Sequence, residues 1–531
     1  MIHLSHVWRL MLGNAVAMPA GLPDATISGF AIDSRQVQAG ALFVALRGEK
    51  TDGHLYLQDA FARGAIAAIA EPRALELGLR AWFALPDGSV RPPAGQPVPW
   101  LRQDRLAARP GETAEAASPA PCVFIAADSL VALQNLAAQW RGQMPAVAIG
   151  ITGSIGKTMT KETVANVLAQ RYATLRTEGN LNNEIGLPLM LLRLTPEHQR
   201  VVLEMGMYAL GEIGRLCELA RPRIGVVTNV GPSHLERMGS IGRIAQAKAE
   251  LVQGLPPAAE GGVAILNADD PLVISMAGLT RARVFTYGLN ESSDLWADEI
   301  VSAGLEGISF RLHYGKEVLH LRLPVLGRHS VHTALRGAAV GLVEGLSWTE
   351  IIAGLQDVRG QLRLMVVPGL RQSTLIDDTY NASPASVLAA LNLLADIIAP
   401  ASFRTEAPAE RAASRRPIAV LGDMFELGSY EEEGHRLAGG RAAQVVQKLI
   451  TVGPRARWIA DEALASGLPQ ADVYPTASNA DAICLLLGLV RPGDVILVKG
   501  SRGMGMETIV DALSQLSQPG PAAERPPAAG S

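Results

Sequence analysis

The sequence predicts an α/β protein of three domains, and three observations predict it. At 531 residues the chain is too long for one ordinary core, because domains run at about 100–200 residues each. From about residue 145 onward, short apolar runs alternate with helix-length stretches, the pattern of strands and crossover helices in mostly parallel sheets. Two segments rich in alanine, proline and arginine, one in the first domain and one in the last, interrupt a domain without ending it.

The first domain, residues 1–144, reads as mixed α/β. Ala41–Leu46 is an apolar strand, Tyr56–Gly64 a short helix, and Ala67–Ala70 a second strand. Between Pro86 and Pro121 eight of 36 residues are proline, which predicts a long surface insertion. Strand Val123–Ala126 and helix Ser129–Arg141 then resume the domain.

The central domain, residues 145–323, is expected to be a doubly wound parallel sheet around a P-loop. Strand Ala146–Ile151 leads through a glycine-rich turn into a helix from Lys157 to about Tyr172. Further strands fall at Val201–Leu203, Ile224–Val227 and Val263–Leu266, while Leu295–Leu323 alternates like antiparallel strands. The C-terminal domain, residues 324–517, is expected to be a Rossmann-like α/β unit. Its strands are Thr374–Ile376, Ile418–Leu421, Leu449–Val452 and Val495–Val498, with a loop insertion over 399–417. Residues 518–531 form a Pro/Ala/Gly tail of disordered composition.

Composition excludes several classes of function. A hydrophobic fraction of 48% and a charged fraction of 18% suit a soluble globular protein. The formal net charge of −4 offers no basic face for nucleic acid. Cys122, Cys217 and Cys484 are far apart, so neither a disulfide framework nor a zinc site is indicated and a reducing cytoplasm fits. The N-terminal stretch lacks a signal-peptide core, and no apolar run reaches the ~20 residues of a membrane span. A cytoplasmic monomer is expected.

The chemistry begins at Gly153, Ser154, Ile155, Gly156, Lys157 and Thr158, between an apolar strand and a helix. In that setting backbone N–H groups and a helix N-terminus cradle phosphates, Lys157 neutralises the β/γ-phosphates, and Thr158 offers a hydroxyl to Mg²⁺. The strict G-x-x-x-x-G-K-S/T pattern is not met, because Ile151 stands where the first glycine should be. Glu204 ends the strand Val201–Leu203, where a Mg²⁺ ligand is expected beside a phosphate loop. Asn182 and Asn183 lie in an amide-rich run. It reads equally as a polar-substrate clamp or as an Asx-rich turn opening a helix at Pro188. His234 reads on its own as a metal ligand, an orienting group or, as a lone histidine more often is, a structural residue, and Lys248 as a solvated helix lysine.

The sequence T-G-S-x-G-K-T after an apolar strand resembles the loop of the Mur ligase superfamily, whose members build the peptide stem of peptidoglycan. Asn180–Pro188, Asp377–Pro384, Gly422–Gly428 and Lys499–Arg502 resemble the segments of its D-alanyl-D-alanine-adding member. The resemblance covers nearly the whole chain outside the two insertions and the tail. It implies an ATP-dependent carboxylate–amine ligase working through an acyl phosphate, with Mg²⁺ as cofactor. UDP-N-acetylmuramoyl tripeptide and D-alanyl-D-alanine are the implied substrates. The motifs carry nothing that distinguishes lysine from diaminopimelate at the third stem position.

The same resemblance implies residue roles. Thr158, Glu204, His234 and, if carbamylated, Lys248 hold Mg²⁺; an unmodified ammonium beside such ions would be unfavourable. Lys157, Lys248, His234 and Arg363 serve catalysis. Asn267, Asp269, Arg328 and Arg363 join the phosphate loop in binding ATP. Ser330 and Thr333 stand where the family carries two asparagines, which leaves His332 or another group for the adenine end. In the first domain Ser34, Arg35 and Arg47 resemble the UDP-sugar module, and Asp52-Gly53-His54 is a further match. Asn182, Asn183, Asp378, Tyr380, Asn381 and Lys499 complete the substrate set. A folylpolyglutamate-synthase-like ligase, a diamino-acid-adding ligase and a nucleotide-switch protein without ligation are the competing readings. The UDP-module matches oppose the first and Asp377–Pro384 the second. Phosphate release that depends on D-alanyl-D-alanine discriminates the third.

Overall fold

The computed structural model describes residues 1–19, 22–48, 51–79, 81–91, 120–357, 365–398 and 415–515. They form α/β structure with three parallel-rich sheets, distributed over two compact units. One unit comprises residues 1–148, 173–205 and 214–222; the other comprises 149–172, 206–213 and 223–531.

The first unit carries a six-stranded sheet in the order Phe30–Ala31, Leu42–Val44, Ala67–Ala70, Cys122–Ile125, Trp82–Ala84, Val90–Arg91. All pairings are parallel except the last. Its inner strands are buried throughout, as parallel strands covered on both faces must be. Val90–Arg91 pairs with Phe83 and Ala84, so the insertion expected from Pro86 begins later. Residues 92–119 of it lie outside the described residues. Trp82–Ala84 was not expected as a strand, because three residues before a proline carry no readable period. The helix Ser129–Gly142 is capped by Asp128, whose Oδ1 accepts from the backbone N–H groups of Leu130 and Val131. This unit also holds the parallel pair Thr174–Arg176 and Arg200–Glu204 and the helix Gly186–Leu191.

In the second unit, Ile149–Thr152 of the strand Val147–Thr152 pair in parallel with Ile224–Val227. The sheet continues in parallel through Val263–Asn267, Arg283–Gly288 and Leu295–Ser302. It turns antiparallel at Ile308–Tyr314 and Glu317–Leu323, as the alternation after Leu295 predicts. The helix after the glycine-rich turn ends at Leu168, four residues short of the expected Tyr172. Helices Ser330–Val343 and Trp348–Gln356 pack on it. A Cβ on Gly337 would meet Thr163, and one on Gly354 would meet the Val167 backbone. This packing runs across residue 324, where the C-terminal domain was expected to start.

The remaining six-stranded sheet has the order Met365–Gly369, Ser373–Asp377, Val495–Lys499, Pro417–Gly422, Lys448–Val452, Val473–Thr476. Only the first pairing is antiparallel. Apolar clusters cover both faces, one around Leu391, Leu421 and Leu449, the other around Leu375, Val420 and Leu486. Residues 399–414 of the second expected insertion and the tail 518–531 lie outside the described residues.

Candidate active site

The phosphate loop leaves the C-terminal end of Val147–Thr152 and opens the helix Lys157–Leu168. Two of its residues must be glycine. Gly153 has φ +148° and a Cβ there would collide with the Thr228 hydroxyl; Gly156 has φ +80° and is the helix N-cap. The next strand holds the loop in place. Thr228 Oγ1 donates to the Ile155 carbonyl at 2.7 Å, and Asn229 Oδ1 accepts the Ile155 N–H at 2.9 Å. Ser154 Oγ exchanges hydrogen bonds with the backbone of Gly231, 2.9 Å each way. Thr228 and Asn229 carried a signal in the sequence, since they end the strand beside the loop, yet their supporting role needed the sheet order to be seen.

Lys157 Nζ donates to the carbonyls of Gly153 and Ser154, at 2.8 and 3.4 Å. Lys248 is 2% exposed, and burial, followed by the charge of Lys157, holds its amine well below the ordinary lysine range. The expected solvated helix lysine is therefore an interior one. His234 caps the short helix Leu235–Met238 in the left-handed region at φ 54°. Its Nδ1 lies 2.5 Å from Glu426 Oε2 and its ring meets that of Tyr208 edge-on. Burial pulls the imidazole down, Glu426 opposes that, and Lys157 and Lys248 add to it. Glu426 was read only as part of the Gly422–Gly428 run; its pairing with His234 is invisible in a sequence separation of 192 residues.

Asn267 is buried and structural: its Nδ2 donates to the Thr228 carbonyl and its Oδ1 accepts the Asp269 N–H. Asp269 accepts from the Leu289 N–H and lies 2.7 Å from His332 Nε2, so His332 does reach the Asn267–Asp269 turn. Ser330 and Thr333 are buried in the helix Ser330–Val343; Ser330 Oγ donates to the Leu326 carbonyl. Arg328 is exposed. Arg363 and the run Gly360–Arg363 lie outside the described residues.

In the C-terminal sheet Lys499 is 2% exposed. Its Nζ pairs with Asp378 Oδ2 at 2.7 Å and donates to the Asn381 carbonyl at 2.8 Å. It thereby ties down the loop that presents Asp378, Tyr380 and Asn381. Arg502 stacks over the Tyr380 ring, and Ser501 Oγ accepts the Phe425 N–H, so the Asp377–Pro384, Gly422–Gly428 and Lys499–Arg502 runs meet at one sheet edge.

In the first unit Glu204 is 3% exposed, accepts from Asn182 Nδ2 at 2.9 Å, and has its backbone N–H bonded to Thr177 Oγ1. Asn183 Oδ1 accepts the Gly186 N–H at 2.8 Å, so this asparagine serves the helix start, one of the two roles open to it. Ser34 is buried, whereas Arg35 is exposed and pairs with Asp33. Arg47 pairs with Glu71 at 2.8 Å. His54 is buried between Asp52, 2.8 Å from its Nδ1, and the Glu71 N–H, which its Nε2 accepts at 2.9 Å.

Among the described residues no three His, Cys, Asp or Glu side chains gather as a complete metal set. Mg²⁺ takes octahedral oxygen coordination, keeps several waters and is held mainly by substrate phosphates. A loop hydroxyl at Thr158 fits that chemistry. Among the described residues no helix is long and apolar enough to cross a membrane.

Three family models match the chain: "Mur ligase family, catalytic domain" over residues 26–79, "Mur ligase middle domain" over 151–341, and "Mur ligase, glutamate ligase domain" over 362–502. The chain is 36% identical to the UDP-N-acetylmuramoyl-tripeptide–D-alanyl-D-alanine ligase of Mycobacterium tuberculosis, over 95% of this chain and 96% of that one. It is 33% identical to the Escherichia coli protein of the same name, over 93% and 95%. Among solved structures it resembles MurF from Acinetobacter baumannii, with a TM-score of 0.74, 27% identity and coverage of 97% and 98%. The fold also matches that of MurF ligase from Thermotoga maritima in complex with ADP, with a TM-score of 0.68, 24% identity and coverage of 94% and 99%.

Proposed function

Because the chain belongs to the Mur ligase family, we propose that it is the ATP-dependent ligase joining D-alanyl-D-alanine to a UDP-N-acetylmuramoyl tripeptide in peptidoglycan synthesis. The observation that carries this reading is the end-to-end match to ligases of that name, with the phosphate loop seated at a strand's C-terminal end.

The terminal carboxylate of the tripeptide attacks the γ-phosphorus of ATP, giving an acyl phosphate and ADP. The amine of D-alanyl-D-alanine then attacks the acyl carbon, phosphate leaves, and a peptide bond forms. The protein's part is positioning and charge stabilisation. Gly153 and Gly156 present backbone N–H groups to the nucleotide, and Lys157 turns from its loop carbonyls to the phosphates. The Asn267–Asp269 turn and Arg328 border the nucleotide, and Arg363 adds a bidentate donor. Mg²⁺, when bound, would neutralise phosphate charge from Thr158, Glu204 and His234. Burial holds the Lys248 amine well below the ordinary lysine range, and its carbamate would add an anionic ligand. Ser34, Arg35 and Arg47 bind the UDP end; Asn182, Asn183, Asp378, Tyr380, Asn381 and Lys499 frame the peptide end, Asn183 and Lys499 by holding backbone in place. The reaction runs in the cytoplasm, where ATP and the nucleotide-linked precursor are available.

The test is phosphate release with ATP, Mg²⁺ and UDP-N-acetylmuramoyl tripeptide, with and without D-alanyl-D-alanine. Sustained release only with the dipeptide is expected; release indifferent to it would sink the proposal.

A further inference from the structure

Arg336 lies in the helix Ser330–Val343 and is 4% exposed. A guanidinium cannot shed its proton to suit such burial, so it needs an opposite charge or a full set of acceptors. Two acceptors are local: Nε donates to the His332 carbonyl at 2.9 Å and Nη2 to Thr333 Oγ1 at 3.0 Å. The Tyr287 hydroxyl is a third acceptor, and its ring centre lies 5.9 Å from the guanidinium carbon. Among the described residues no carboxylate forms an ion pair with it; Asp269, which the same helix reaches through His332, is engaged by that histidine.

The guanidinium points at the phosphate loop. A Cβ on Gly156 would sit 3.6 Å from Nη1 and 3.7 Å from Nη2. Gly156 is the helix N-cap, where unpaired N–H groups already favour an anion. Lys157 is the next residue, and Lys248 feels its charge. Positive charge thus meets at one loop from two separate helices, Lys157–Leu168 and Ser330–Val343.

We propose that Arg336 is a resident cation of the nucleotide site, and that its missing counter-charge is the polyphosphate of the bound nucleotide. This rests on the phosphate-loop reading above and adds a residue to it. The helix that carries Ser330 and Thr333, both buried and bonded internally, contributes through charge at the phosphate end, one turn beyond those two positions. The consequence is selectivity for phosphate number: each added phosphate should gain more affinity than Lys157 and the loop amides alone supply.

The experiment compares adenosine, ADP and ATP binding to the full chain by calorimetry, for the native protein, Arg336→Met and Arg336→Lys, with melting curves alongside. Arg336→Met should weaken ADP and ATP at least tenfold and leave adenosine within twofold, and Arg336→Lys should recover most of the loss. Equal weakening of all three ligands, or none, would overturn the proposal in favour of a purely structural arginine. Should Arg336→Met fail to fold, Arg336→Lys decides: a steeper salt dependence and weaker ADP binding, at unchanged adenosine affinity, are required. Native protein that does not bind ADP would refute the phosphate-loop reading itself.

Discussion

Two loops of the second unit leave the C-terminal ends of parallel strands and run into helices. One is Gly153–Gly156 after Val147–Thr152; the other is Asp378–Ser383 after Ser373–Asp377. They handle charge in opposite ways. In the second loop the buried cation Lys499 is spent internally, on Asp378 and the Asn381 carbonyl, so the loop is braced from beneath. In the first, neutral groups brace the loop: Thr228, Asn229 and the Gly231 backbone. Of its cations, Lys157 donates to loop carbonyls and Arg336 forms no ion pair with a carboxylate among the described residues. Strand ends locate both sites, but charge placement decides what each can hold.

The largest effect should follow from removing the first loop's own cation. Lys157→Ala is expected to cut ADP formation by at least about a thousandfold, as loss of a transition-state charge contact does, while binding of the UDP-linked substrate survives. Near-normal turnover in a phosphate-release assay would contradict the loop's role. Next comes Gly153→Ala. Its Cβ collides with the Thr228 hydroxyl at φ +148°, so ADP affinity should drop about tenfold or more, through roughly 1–3 kcal/mol of strain. Adding Thr228→Ser, which keeps the colliding oxygen, should restore nothing, whereas Thr228→Ala should restore part. Calorimetric ADP titration of the three variants checks this.

The contrast sharpens at Lys499. Lys499→Met removes the cation paired with Asp378, whose side chain is only 18% exposed. Breaking one side of a buried pair costs about 3–5 kcal/mol, discounted here to about 2–3 for partial exposure. Urea unfolding should show that loss while nucleotide affinity holds. An unchanged midpoint would mean that the ion pair does not brace the loop.

The smallest effect has the opposite sign. Lys248 has a folded-state pKa below its unfolded value. Between the two values the unfolded chain binds a proton that the folded chain does not, so stability rises with pH up to the ordinary lysine range. Lys248→Met should therefore stabilise the protein at neutral pH, and the advantage should shrink toward pH 10. Turnover should be lost in the same variant. Urea midpoints at pH 7 and 9 in CO₂-depleted buffer test the slope, and an advantage that grows with pH would refute it.

Much of this was legible without coordinates. Strands Ala67–Ala70 and Ile224–Val227 appear at the expected residues because each is a four-residue apolar run buried throughout. The phosphate loop was readable because its chemistry is local: two glycines, a lysine and a threonine between a strand and a helix. Short or polar strands such as Thr174–Arg176 and Val473–Thr476 were not, since their pairing comes from neighbours and not from their own residues.

What the sequence determined by itself was thus the order of elements, the identity of the loops and the family to which they belong. Only the tertiary structure decided which side chains those loops share. Burial turned Lys248 from a helix-surface residue into an interior amine. Sheet order brought Thr228 and Asn229 onto the loop, and helix packing aimed Arg336 at Gly156. The reason is physical: desolvation and pairing depend on neighbours hundreds of residues away, as with His234 and Glu426, whereas backbone chirality and hydrophobic period act within a few residues.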